Sequence, residues 1–428
     1  MGTVLLLALF IIEIIFMGWE LITKKNHSIE KSVVRLAETS IFAILCVCGV
    51  LEWGFRYTLI AVILAIQSII SIVTLIKKKQ KDYKLSSSIL RVIRNAFIYT
   101  SALFIAILCP QNKMPAVAGE YDFSVAKYTW TDTSRIETFT DTGENRSITI
   151  DFYYPDDMAQ KYPLAVFSHG AFGISMSNYS TYADLASHGY VVAVITHPYH
   201  ALYNVDVNNK ITIGDSYTLN EFMYIQNHDD NNEFEFTHNA LKLRVEDENF
   251  VLDTILEKAA NPYEDKLFSI IDTDKIGVFG HSLGGGSSAC LGRERNDIDA
   301  VIVLDGTMIG DVLYESNGEQ ELNSNPYPVP VLFIYAEDHY NNAIKYAGDD
   351  YVNFYECKNA VDAQEIVIKN SGHMNFTDLP LFCPYLAKQL GTGTVDSREC
   401  IEKINDIIVD YFDYYLKDGE DPNFQKEY

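Results

Sequence analysis

Gly280-His281-Ser282-Leu283-Gly284 holds a serine between two glycines at the end of the compact apolar run KIGVF. A serine hydroxyl is a poor nucleophile unless a base takes its proton and a carboxylate orients that base. In one recurring chain order the carboxylate and then the base follow the serine. His373, in KNSGHMNFTD, is the only histidine after His339 and takes the place of the base. Two carboxylates precede it: Asp305 in VLDG and Asp338 in IYAEDHY. Both end β-branched apolar runs, the position at which parallel sheets assemble their sites. Asp305 is the preferred acid and Asp338 the alternative, with Glu337 facing the other way if Asp338 faces in. Acyl transfer also needs amides for the developing oxyanion. One belongs to Leu283, directly after the serine, and the other to Ala171 in SHGAFG, after His169-Gly170.

This chemistry requires no cofactor and no metal. No His, Cys and Glu set has metal-ligand spacing, and the one glycine-rich turn is occupied by the serine, which leaves no dinucleotide fingerprint. His281, inside the motif, is expected to pack beside the sheet, and His188 to cap a helix. His197 and His200, in THPYH, are expected to serve structural hydrogen bonding at the mouth of the site.

A serine motif is persuasive when a strand enters it and a helix leaves it, and the surrounding pattern provides both. SRIETFT and SITIDFYYP read as an opening strand pair, YPLAVFSHG as a buried strand, NYSTYADLASHG as a helix and YVVAVITHP as a strand. A long helical stretch over 238–258 precedes KIGVFG. DAVIVLDG, PVPVLFIYAED and AQEIVIKNSGH follow as strands, and an amphipathic helix over 398–417 closes the pattern. Short buried runs separated by helices predict an α/β fold with a mostly parallel sheet covered on both faces.

The first 110 residues belong to a different environment. They carry twelve Lys and Arg against six Asp and Glu, while the rest of this chain of net charge −25 is strongly acidic. Apolar runs lie at Thr3 to Ile22, Leu36 to Leu51, Tyr57 to Ile76 and Ile89 to Leu108. About 20 apolar residues cross a bilayer core, so the region predicts four transmembrane helices, the second being the shortest. The first run lacks the basic start and small-residue cleavage site of a secretory signal. Lys24, Lys25, Lys31 and Arg35 follow the first run, and Lys77, Lys78, Lys79, Lys81, Lys84, Arg91 and Arg94 lie around the gap before the fourth. With four crossings both basic clusters fall on one side, cytoplasmic by the positive-inside rule, and the C-terminal part is extracytoplasmic. The expected layout is a multi-pass membrane region at 1–110, a linker at 111–120 and a catalytic domain at 121–428. The acidic surface argues against nucleic acid as a partner, leaving an ester substrate and the lipid bilayer; oligomeric state stays open. Cys383 and Cys400 are a possible disulfide in an oxidising compartment.

Taken together, YPLAVFSHGAFG, ADLASHGYVVAVITHPYH, LRVEDENFVLDTI, DKIGVFGHSLGGGSSA, VIVLDG and SGHMNFTD resemble the platelet-activating-factor acetylhydrolase type of α/β-hydrolase over about 120–415. More distantly they resemble cutinase-type lipases and polyester hydrolases. The first resemblance implies a serine esterase acting on short acyl chains with Asp305 as the acid; the more distant one implies Asp338 and longer or polymeric esters. The membrane runs and the segment 203–239 depart from the pattern. That segment reads as an insertion that shapes the acyl pocket or acts as a lid, and its Asp and Asn run as a solvated loop rather than a Ca²⁺ site. A non-catalytic binding module that kept the motif for folding is the competing class, and the complete Ser, Asp and His set speaks against it.

Overall fold

The computed structural model describes all residues except 1, 52, 79–81, 111, 226–232, 263–264 and 317–318. Lys79 and Lys81 of the second basic cluster, and most of the Asp and Asn run of the insertion, lie outside the described residues. The chain forms two compact units, one of Met1–Lys113 with Leu381–Leu386 and one of Met114–Pro380 with Ala387–Tyr428.

In the first unit, helices α1 (Gly2–Thr23), α2 (Ser28–Val47), α3 (Phe55–Lys77) and α4 (Leu85–Leu108) pack around Leu6, Leu9, Phe42, Tyr57, Ile60, Leu64, Tyr99 and Ala102. Large aliphatic and aromatic side chains such as Ile15, Ile69, Phe97 and Phe104 point outward. Such an apolar exterior suits lipid better than water. Three of the described helices, α1, α3 and α4, are long and apolar enough to cross a membrane. The second expected span differs from the run read in the sequence: α2 begins at Ser28 rather than Leu36, and its first half carries Glu30, Lys31, Arg35 and Glu38. Lys31, Arg35 and Glu38 turn inward, while Glu30 stays exposed. Arg35 meets Glu13 of α1 at 2.9 Å, and Lys31 and Arg91 both bind Glu20 of α1.

The second unit is built on an eight-stranded sheet in the order β1-β2-β4-β3-β7-β8-β11-β12. The antiparallel pair β1 (Phe123–Ile136) and β2 (Asn145–Pro155) opens it. β1 begins upstream of the strand read at SRIETFT and ends within it at Ile136; Asp132, which accepts hydrogen bonds from Ser134 and Arg135, marks a break in register before Ile136 pairs with Asn145. Then come β3 (Tyr162–Ser168), helix α5 (Tyr179–Ser187) and β4 (Val191–Thr196). The insertion follows as a hairpin of β5 (Tyr203–Val205) and β6 (Ile211–Ile213), helix α6 (Ser216–Ile225) and the start of α7 (Glu233–Ala260).

Next are β7 (Ile271–His281), α8 (Leu283–Glu294), β8 (Ala300–Leu304) and a second hairpin of β9 (Val312–Ser316) and β10 (Glu319–Leu322). The unit ends with β11 (Val331–Ala336), α9 (Glu337–Tyr346), α10 (Val352–Asn359), β12 (Ala363–Ile368) and α13 (Ser397–Leu416); between β12 and α13 the chain forms the short α11 (Leu379–Phe382) and α12 (Pro384–Leu390), of which Leu381–Leu386 belongs to the first unit. From β4 to β12 neighbouring strands are parallel. The two-residue period of a strand sorts its side chains. Val166, Val278 and Phe333 face Val251 and Ile255 of α7, while Phe167, Phe279 and Ile334 face Tyr182 of α5 and Ile408 and Phe412 of α13. With both faces buried, the strands read as continuous apolar runs, and the fold is that of an α/β-hydrolase. Every cysteine is a free thiol, so Cys383 and Cys400 do not pair.

Candidate active site

Strand β7 delivers the chain to Ser282, whose backbone stands at φ 57°, ψ −125° before α8 begins. A non-glycine residue is strained there. The flanking glycines make the turn possible: a β-carbon on Gly280 would lie 2.2 Å from the Gly284 carbonyl oxygen. Ser282 is half-buried at the carboxyl end of the sheet. No hydrogen bond joins its hydroxyl to His373 among the described residues; such contacts are often long until substrate binds.

Asp305 follows β8 with φ 47° and is 2% exposed. Its Oδ2 lies 2.6 Å from Nδ1 of His373, while Oδ1 accepts from the Ala336 amide at 2.7 Å and meets Nδ1 of His339 at 2.9 Å. Burial would push this carboxyl up, but hydrogen bonds from His339 and His373, and their charges, outweigh it and hold it below the usual carboxylate range. His373 opens a short turn after β12. Asn375 fixes that turn by accepting from the amides of Gly372 (2.9 Å) and Gly393 (2.8 Å). His281 packs against His373, with ring centroids 4.4 Å apart and its Nε2 3.2 Å from the His373 carbonyl oxygen. Burial pulls His281 down to about 3, which keeps it neutral.

The other carboxylates of the sequence reading are engaged elsewhere. Asp338 accepts from the His339 amide at 2.7 Å, and Glu337 from the Asn370 amide at 2.7 Å. Neither forms an ion pair with His373 among the described residues.

The loop after β3 closes the site. A methyl group on Gly170 would stand 3.3 Å from the Ser282 β-carbon, so this backbone touches the serine. The Phe172 amide donates to His200 O at 2.8 Å, whereas the amides of Ala171 and Leu283 have no acceptor among the described residues. Arg244 of α7 holds the loop from behind, donating to the carbonyls of His169 and Gly170 and reaching His200 Nδ1 at 3.4 Å. Beneath it, Arg146 grips Asp247 with two bonds of 2.7 Å, and Asp247 meets His197 Nδ1 at 3.0 Å. His197 Nε2 meets Ser168 at 2.9 Å, and Ser287 of α8 bonds to both Ser168 and Glu248. Ser168, His197 and Asp247 reproduce the groups of a catalytic triad, yet each is at most 1% exposed, and the set is structural.

A family model for platelet-activating factor acetylhydrolase, isoform II, matches residues 147–426, about two thirds of the chain. The chain belongs to that family. Similar relatives are platelet-activating factor acetylhydrolases from Bos taurus (27% identical over 269 residues, 58% of this chain and 55% of that protein) and Canis lupus familiaris (29% over 264 residues, with the same coverages). A third, from Cavia porcellus, is 26% identical over 287 residues, 64% of this chain and 61% of its own. The acetylhydrolase-family chain therefore spans little more than half the length of the relatives it matches. A ferulic acid esterase from Streptomyces cinnamoneus shares the fold, with a TM-score of 0.56 and 20% identity over 73% of this chain and 95% of its own.

Two features of this acetylhydrolase-family site were not legible in the sequence. His339 carried no motif, and its pairing with Asp305 depends on where α9 starts. The buried Arg146, His197, Arg244, Asp247 and Glu248 set is scattered over about 100 positions, though the four charges of LRVEDE on a helix pattern were a usable signal.

Proposed function

We propose that this chain is a membrane-associated serine hydrolase that cleaves carboxylic esters of short acyl chains. Ser282 attacks the acyl carbonyl as His373 takes its proton. The alkoxide of the tetrahedral intermediate sits against the amides of Ala171 and Leu283, and His373 returns the proton to the leaving alcohol. Water, activated by His373, then releases the acid from the acyl-enzyme. Asp305 holds the His373 ring and supports its positive charge.

The observations that support this reading are the strained Ser282 turn at the end of β7 and, on the same end of the sheet, a histidine whose Nδ1 is bound to a buried carboxylate. The short-chain preference rests on the family resemblance, while an apolar wall of Leu241, Val245 and Leu283, with Phe222 of the insertion and Ala171 packed on it, would receive the acyl group. Helices α1, α3 and α4 supply the bilayer contact. The ion pairs of α2 allow it to cross as a fourth span, which would put both basic clusters on the cytoplasmic side and the hydrolase unit outside.

The test is hydrolysis of p-nitrophenyl esters from acetyl to palmitoyl by the full-length chain in detergent, beside Ser282→Ala. A rate maximum at acetyl and a loss on the order of 10⁶ in kcat in the variant support the reading. A maximum at long chains would transfer it to cutinase-like lipases, and no Ser282-dependent turnover on any ester would leave a binding module. A C-terminal epitope reachable on intact cells tests the orientation.

A further inference from the structure

Asp305 is shared. A triad carboxylate ordinarily gives one oxygen to the catalytic imidazole and the other to backbone amides, but here a second imidazole, His339, takes part of the second oxygen at 2.9 Å. His339 sits in the first turn of α9, which directly follows β11, and the last amide of that strand, Ala336, binds the same oxygen. Its far nitrogen, Nε2, lies 2.8 Å from the Tyr351 hydroxyl, which lies 2.9 Å from Thr307 Oγ1. We propose that His339 is a positioning residue for the acid: it holds Asp305 toward His373 and makes the loss of activity at low pH a two-proton process. The inference rests on the esterase reading above.

The relay accepts a proton without losing a bond. With His339 neutral, Nδ1–H donates to Asp305 and Nε2 accepts from the Tyr351 hydroxyl. With His339 protonated, Nε2–H donates to the Tyr351 oxygen and the Tyr351 hydroxyl turns to Thr307. The cation then spends the charge of Asp305, because one carboxylate cannot support both His339⁺ and the imidazolium that His373 must become.

The groups facing His339 are Asp305 after β8, Asp338 beside it on α9, Tyr335 on β11 with rings 5.7 Å apart, Tyr351 before α10, and His373 through Asp305. Burial pulls the ring down, but the hydrogen bond to Asp305 and the charges of Asp305 and Asp338 outweigh it, so His339 keeps its proton above the ordinary range.

The experiment is the pH profile of kcat/KM for p-nitrophenyl acetate with the full-length chain, His339→Asn and Tyr351→Phe. The wild type is expected to fall by up to 100-fold per pH unit on the acid side, and His339→Asn by tenfold per unit. Tyr351→Phe, which removes the acceptor of the charged form, is expected to shift the steep limb to lower pH. A wild-type limb of tenfold per unit, or a steep limb that survives His339→Asn, overturns the inference. So does an unmoved profile in Tyr351→Phe, which also decides the matter if His339→Asn does not fold. Activity that persists in Ser282→Ala would instead remove the esterase reading itself.

Discussion

Gly284 stands so close to Ser168 that a β-carbon on it would lie 2.1 Å from the Ser168 carbonyl oxygen. Both partners are backbone, so no side chain can swing away. Gly284→Ala is therefore expected to lower the melting temperature by 5 °C or more, from a few kcal/mol of overpacking, and to lower kcat on p-nitrophenyl acetate at least 100-fold by displacing Ser282. Thermal melts with steady-state kinetics check it; a variant with wild-type values would mean that the β7-to-α8 turn is looser than described.

Asp305→Asn and Asp338→Asn separate the two carboxylates that the sequence left open. Asp305 binds His373 at 2.6 Å, while Asp338 caps the His339 amide. The first change is expected to lower kcat about 10⁴-fold, because the amide favours the wrong imidazole tautomer, and the second by less than about threefold. Equal losses would return Asp338 to consideration.

Arg244 spans two successive carbonyls, which a lysine ammonium cannot do with fixed geometry. Arg244→Lys should let the loop of Ala171 drift, lowering kcat by about 10- to 100-fold with KM nearly unchanged. The split between the two constants is the informative reading, since a loss confined to KM would place Arg244 in substrate binding instead.

Glu248 gives a pH-dependent stability with a definite sign. Burial raises its carboxyl to about 7, against partial offset by hydrogen bonds from Ser287 and Ser168. The unfolded chain gives up this proton near pH 4.5, so between there and neutrality the folded state binds more protons and loses stability as pH rises. Glu248→Gln is expected to stabilise the protein at pH 8 by on the order of 3 kcal/mol and to be nearly neutral at pH 4.5. Melting curves at the two pH values measure it; a destabilised variant at pH 8 would show that Glu248 works as an anion, paired with Arg244.

The central strands and the Ser282 turn were legible because their signals are local: an apolar run of fixed length, then glycines where only glycine fits. Asp305 was preferred over Asp338 from its position after a strand and from the family resemblance; it is the carboxylate that contacts His373. The missed features are those that local patterns cannot carry. β1 begins eleven residues before the run taken for it, and its pairing passes a register break between Asp132 and Ile136 that no glycine or proline marks. The double use of Asp305 needs three segments that meet only after the sheet has formed. In the first unit, counting apolar residues could not show that the charges of α2 have partners on another helix.

Those partners set a timetable for biogenesis. In the proposed membrane topology, Glu13 and Glu20 are synthesised before Lys31 and Arg35, and Arg91 comes last, so α1 would enter the bilayer with two carboxylates whose partners lie on later helices. A chain stalled after α1 would be poorly retained in lipid, and α2 expressed alone would have no reason to enter it. Under that topology the helices of this unit would commit as an ensemble, and quality control in the cell would meet the unpaired charges of an incomplete one.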